Sequence, residues 1–269
     1  MTRIVPLASI GDPLRIEALV RAVHGEGDRA PGWFARKLHR ECVDPELSPL
    51  AVGSNDEWLG YVLVCSPPNA EGTARTCGAG VIPTMRGRGI GRALFETAAS
   101  SARAAGFERL HVPAAHERLS FFEHIGFVPV HERATLLAFA SGSVHTVTFG
   151  TPAPWDAAPE RVEHAAWARE PWERTEASSR ATLEIDGVHL HLAREGRAVV
   201  AHRVCAPPHT SGVQVGRAVD ALRQRIVEPT PTLLTGIEPV SEVTEWLLDA
   251  GWVVAQRWAV LQRDLRFAR

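Results

Sequence analysis

Apolar and polar positions change period along the first half of this chain often enough to name its elements. Residues 3–7 alternate as a short strand. Asp12 and Pro13 then supply a cap and a first-turn proline for a helix that runs to about residue 23. The glycine-broken segment 25–32 reads as a loop, and residues 33–41 as a second helix. Apolar runs at 50–53, 58–65 and 75–82 predict three strands, and residues 92–105 a helix. Residues 109–112 predict a strand. Leu119, Phe122 and Ile125 then fall on one side of a short helix that Gly126 ends in the left-handed position. Strands at 128–130 and 134–140 close a mixed α/β sheet.

The second half repeats this layout faintly. Setting residue n against n+125 places Pro83 on Pro208, Gly87 on Gly212, Gly91-Arg92-Ala93 on Gly216-Arg217-Ala218, and Gly126-Phe127 on Gly251-Trp252. Val219, Leu222 and Ile226 make an amphipathic helix, residues 232–237 a strand, and residues 240–250 a helix stopped by Gly251. Two domains are expected, residues 1–142 and 143–269, joined between Ser141 and Glu160 where Gly150-Thr-Pro-Ala-Pro154 is loop-like.

A length of 269 residues leaves each half enough chain to bury its own core. A net charge of −2 and a pI near 6.6 give no reason to expect nucleic acid or an anionic membrane as partner. The four cysteines, Cys42, Cys65, Cys77 and Cys205, form no C-x-x-C pair and suit reduced thiols in a cytosol. With no 18-residue apolar run and no signal-peptide core before Gly11, a cytoplasmic location is expected. His189, His191 and His202 have strand-like spacing without cysteine or carboxylate company, so no metal site is expected.

The segment Val81-Ile-Pro-Thr-Met-Arg-Gly-Arg-Gly-Ile-Gly-Arg92 carries the chemistry. A strand end enters a turn with Gly87, Gly89 and Gly91, then opens a helix whose first N–H groups lack intrahelical partners. Such a helix start favours negative charge. Glycines let the backbone approach a ligand closely, and Arg86, Arg88 and Arg92 add forked cationic donors for phosphate oxygens. A dinucleotide fingerprint would need Gly-x-Gly-x-x-Gly, and the third glycine is missing at that spacing. A structural turn or another anion site stays open on the residues alone.

Arg86-Gly-Arg-Gly-Ile-Gly91 resembles the Arg/Gln-x-x-Gly-x-Gly/Ala signature of the GNAT (GCN5-related N-acetyltransferase) family. Phe121-Phe-Glu-His-Ile-Gly-Phe127 resembles that family's Phe-Tyr-x-x-x-Gly-Phe element. The resemblance implies two GNAT-like domains in tandem with a degenerate second copy, and acetyl-CoA as cosubstrate. Coenzyme contacts would come from Val81, Ile82, Pro83, Arg86, Gly87, Arg88, Gly89, Ile90, Gly91, Arg92 and Phe122. In the copy, Ser211, Val213 and Gln214 replace Arg86, Arg88 and Gly89, so its phosphate chemistry is lost.

Direct transfer to an amine needs a base, a polarising amide and an acid. The resemblance puts the amide near Val81 and the acid at Phe122, which has no proton to give. Arg75 stands where some relatives carry a strand glutamate. No catalytic residue is assigned. The candidates are Glu26, with Asp28 beside it in the first loop, then His111 on the strand after the helix, His116 near a pantetheine-bonding position, and His24. Tyr61 and Cys77 read as packed strand residues. The expected activity is transfer of acetyl to a small-molecule amine, by a monomer or homodimer. A coenzyme-binding sensor without turnover and a protein N-acetyltransferase are the alternatives.

Overall fold

The computed structural model describes residues 2–11, 13–25, 32–66, 72–143, 146–150, 152–155, 161–163, 172–227 and 229–266. It divides into two compact units: residues 1–131 with 259–269, and residues 132–258.

The first unit is a mixed sheet covered on both faces. Its strands are β1 (Arg3–Pro6), β2 (Pro49–Val52), β3 (Trp58–Cys65), β4 (Thr73–Val81) and β5 (Arg109–Ala115), in that spatial order. The end of the last strand, β12 (Val253–Asp264), follows β5. The helices are α1 (Pro13–His24), α2 (Trp33–Arg40), α3 (Ile90–Ala104) and α4 (Leu119–His124). Leu94, Phe95, Ala98 and Ala102 of α3 pack with Val62, Val64, Leu110 and Val112 on one face. Ile16, Leu19, Val20 and Phe34 of α1 and α2 pack with Leu50, Tyr61 and Leu63 on the other. Burial from both sides explains why β3 reads as a near-continuous apolar run. Ala259, Leu261 and Leu265 are buried in the α3-side core, so chain distant in sequence completes this unit.

The second unit orders its strands as β6 (Val128–Phe139, from residue 132 on), β11 (Pro231–Ile237), β10 (Ala198–Ala206), β9 (Val188–Glu195) and β8 (Arg180–Ile185). The short β7 (Arg161–Glu163) pairs with β10. Val215, Ala218 and Val219 of α5 (Gly212–Ala221) and Val243 and Leu247 of α6 (Glu242–Asp249) cover one face. On the other, Trp155 and Trp172 stand 5.1 and 4.9 Å from the ring of buried His191.

Three elements differ from their sequence pattern. Residues 128–139 form one strand where two were predicted, since the polar stretch His131–Arg133 is extended as well. The helix predicted around 219–226 begins at Gly212 and tightens into a 3-10 turn at Leu222–Arg225. The helix predicted from 240 starts at Glu242, since Ser241 caps it and accepts the Thr244 N–H. The strand-like spacing of His189, His191 and His202 falls on β9 and β10, whereas β7, β8 and β12 have no counterpart in the sequence pattern. No described helix is long and apolar enough to cross a membrane.

Candidate functional site

β4 is built from small residues, and its backbone rather than its side chains makes the site. It pairs antiparallel with β3, with Leu63 opposite Gly78 and Val64 opposite Thr76, so Cys77 is the extra residue of a β-bulge. On its other edge it runs parallel to β5 only from Thr73–Arg109 to Arg75–His111. Beyond Arg75 the two strands part, and residues 76–81 present an unpaired edge. The Ile82 N–H bonds Leu59 O at 2.9 Å while Val81 stands opposite Gly60. By antiparallel alternation, Val81 therefore turns its own N–H and C=O to the open edge. Arg86 Nε bonds that Val81 carbonyl at 3.0 Å, and another nitrogen of Arg86 reaches Val23 O at 3.3 Å. Arg86 thus holds the strand end to α1.

The turn after β4 leads into α3 through two left-handed glycines, Gly87 (φ +75°) and Gly89 (φ +77°). A Cβ on either would meet nothing within 4 Å, so both line open space that a side chain would narrow. Among the described residues, N–H groups from Gly87 to Arg92 carry no hydrogen bond; the first of the helix runs from Ala93 to Gly89 O at 3.0 Å. Arg88 and Arg92 are exposed and have no protein partner among the described residues. This turn offers open N–H donors and a helix dipole, with two exposed arginines in the same stretch of chain, and a diphosphate suits that set.

The other predicted residues scatter. Ile82 is half-buried, Pro83 begins a 3-10 turn, Ile90 is buried beneath α3, and Gly91 lies against Phe121 and Val81. Phe122 is 7% exposed and packs edge-on against Phe95 and Phe127, inside the core. Its neighbour Phe121, 37% exposed, comes nearest to Gly91, and only the sequence neighbourhood could have suggested it. His111 is half-buried at the last β4–β5 pair, where its Nε2 meets Gln262 Oε1 at 3.0 Å; burial pushes its pKa down, so it is neutral at neutral pH. His116 is exposed at the start of a 3-10 turn. Glu26 and Asp28 lie outside the described residues.

Arg75 is buried and bonds Glu41 at 2.7 Å, an ion pair the sequence reading missed because the partners lie 34 residues apart. Burial opposes the Glu41 charge, but Lys37, Arg75 and Arg40 outweigh it and hold the carboxyl below its ordinary range. Such a carboxylate is a poor base. Among the described residues no group of three metal-ligating side chains gathers.

Residues 17–127 match the model of the acetyltransferase (GNAT) family. The first unit carries a GNAT-family domain. Over its full length the chain resembles the tandem GNAT protein from the clavulanic acid biosynthesis pathway, with a TM-score of 0.67, 16% identity and 100% of each chain covered. It also resembles a GCN5-related N-acetyltransferase from Sphaerobacter thermophilus, with a TM-score of 0.63, 14% identity, and 98% and 95% covered. Identities this low establish the fold, two GNAT-like domains in tandem. In sequence, 62 residues are 42% identical to mouse (Mus musculus) N-alpha-acetyltransferase 80, which is 23% of this chain and 19% of that protein. The match thus spans about a fifth of that relative's length.

Proposed function

We propose that the chain is an N-acyltransferase that moves the acetyl group of acetyl-CoA directly to the amine of a small molecule, with the coenzyme held by the first unit. The carrying observation is the open start of α3 beside the open edge of β4. Arg88, Arg92 and the N–H groups from Gly87 onward are uncommitted donors suited to the diphosphate. A methyl at Gly87 or Gly89 would enter the same space. The coenzyme supplies an acetyl group already activated as a thioester. The chain's part is to grip, align and polarise, and the Val81 N–H on the free edge suits a carbonyl oxygen. Arg86 stays on protein carbonyls, so its role is to shape the turn. In this reading the second unit binds no coenzyme.

The acceptor is the open term. The 62-residue likeness to an N-alpha-acetyltransferase favours a second reading, in which the amine is a protein N-terminus. Calorimetric titration with acetyl-CoA, paired with a thiol-release assay over aminoglycosides, polyamines, amino acids and peptides, tests both. Binding at one site per chain with release on a small amine supports the first reading, and release on peptides alone the second. Binding without release on any acceptor would make the protein a coenzyme sensor.

A further inference from the structure

The core residue in the usual acid's place, Phe122, cannot donate a proton, yet a proton-bearing pair lies across the open strand. Tyr61 is the only tyrosine of the chain. It is 2% exposed within the otherwise apolar cluster beneath α1, and its hydroxyl meets His24 Nε2 at 3.0 Å. Both side chains lie over β4 at its two glycines. A Cβ on Gly78 would sit 3.8 Å from Tyr61 Cε2 and 4.0 Å from its oxygen, and one on Gly80 would sit 3.5 Å from His24 Nε2 and 2.2 Å from Val23 Cγ1.

Glycine weakens a strand unless close approach needs it. Here the two glycines let a ring rooted on β3 lie across β4. Gly78 and Gly80 belong to the stretch after Arg75, where β4 has left β5 and its far edge is open. The polar ends of Tyr61 and His24 therefore lie over the one backbone segment the coenzyme arm can flank. Of the other titratable groups on this face, Arg75 pairs with Glu41, which also meets Lys37 and Arg40, and Cys77 is hydrogen-bonded to the free thiol of Cys65.

We propose that Tyr61 and His24 are the proton couple of this site, a proposal that rests on the acetyltransferase reading. Tyr61 Oη gives its proton to sulfur as the C–S bond breaks. His24, bonded to the same oxygen, returns one to it. The proton that the acceptor nitrogen sheds as the C–N bond forms replaces that one on the imidazole. One proton passes from nitrogen to sulfur, and no electrons are exchanged with any other reagent.

Tyr61→Phe keeps the ring and removes only the oxygen. Its expected effect is a fall in kcat of about 100-fold with KM for acetyl-CoA within about threefold and a melting temperature lowered by only a few degrees for the lost hydrogen bond, as suits a lost general acid. His24→Gln should lower kcat less, about tenfold, and flatten the acidic side of the pH profile. Because Tyr61 is alone of its kind, the near-ultraviolet tyrosinate band of the full chain reports it without assignment. Saturating coenzyme A should displace that band's alkaline titration, and His24→Gln should displace it in the free protein. Full turnover in Tyr61→Phe would overturn the couple while leaving the acetyltransferase reading intact. No calorimetric binding of acetyl-CoA to the wild type would instead remove the reading beneath it. If the wild type binds but transfers to no amine, the band decides, and a titration indifferent to coenzyme A rejects the pair.

Discussion

The two units share a frame and differ where a coenzyme would sit. Offset by 125 residues, Thr73–Val81 of β4 falls on Ala198–Ala206 of β10, and the bulge at Cys77 falls on the bulge at His202. Each strand pairs in parallel over three residues and then parts from its neighbour. In the first unit both openings stay open. In the second, both are filled by the chain itself. β7 runs antiparallel along Val204, Cys205 and Ala206, zipping the edge that β4 leaves free. Helix α5 starts at Gly212, the counterpart of Gly87, so the residues that form a glycine turn in one unit are a helical first turn in the other. Ser211 and Gln214 close a capping box, and Glu242 accepts the Gly212 N–H at 2.7 Å. The same helix start is left open in one copy and is satisfied by an internal carboxylate in its twin. In the second unit protein partners satisfy donors that the first unit leaves open.

The largest break in this symmetry is expected in coenzyme affinity. Replacing Arg88 and Arg92 together with alanine removes two charge-assisted contacts of about 1.5–3 kcal/mol each, so the calorimetric Kd for acetyl-CoA should rise at least about 100-fold. Val213→Ala with Arg217→Ala, the matching pair in the second unit, should leave it within about twofold. Equal effects from the two pairs would end the division of labour.

Acid should separate the units next. Burial, helped by Arg203, lowers the His191 pKa to about 4. A histidine depressed in the fold is neutral in both states above pH 6.5, so its contribution is intact there. As pH falls from 6.5 towards 4 the unfolded chain takes up a proton the folded unit refuses, and up to about 3 kcal/mol is lost. The Glu41 pair in the first unit weakens only below the ordinary glutamate range. Six of the eight tryptophans lie in residues 132–258, so denaturant melts followed by tryptophan emission report mainly the second unit. Their midpoint should fall between pH 6.5 and 4, and His191→Leu should flatten that slope.

Glycine substitutions should then exchange binding for stability. Gly89→Ala places a methyl in open space at positive φ, costing about 1–2 kcal/mol of backbone strain and at least about tenfold in coenzyme affinity. Gly212→Ala would put its Cβ 2.5 Å from Glu242 Oε2 and 2.6 Å from Glu242 Cβ, which costs about 1–3 kcal/mol of overpacking and nothing in affinity. Melting and calorimetry on the two variants give opposite patterns if the comparison holds.

What the sequence showed follows from how local each signal is. β3 was read at its observed bounds, and α1 and α2 to within a residue, because period, cap proline and glycine stops are contiguous. The open turn was legible because its glycines and arginines are adjacent. Ser211-x-x-Gln214 is legible too as a capping box. The rest depended on partners far along the chain. Glu242 meets Gly212 across 30 residues, β7 meets β10 across about 40, and β12 returns to β5 from the far end. The Tyr61–His24 contact was hidden for the same reason, since Tyr61 alone reads as a packed strand residue and His24 as a candidate with no visible partner.

The smallest expected effect is the most discriminating. Glu242→Gln keeps an acceptor for the Gly212 N–H and removes only the charge at the α5 start, worth about 0.3–1 kcal/mol at an exposed position and less in high salt. Glu242→Ala also frees the donor and should cost somewhat more, measured by denaturant melting. Neither change should create a second coenzyme site. Freeing one N–H supplies no cation at position 213, and β7 still occupies the edge of β10. Calorimetry on Glu242→Ala should return one acetyl-CoA per chain. A stoichiometry of two would mean that the carboxylate alone closes the second site, and the paired β7 strand would lose its place in the explanation.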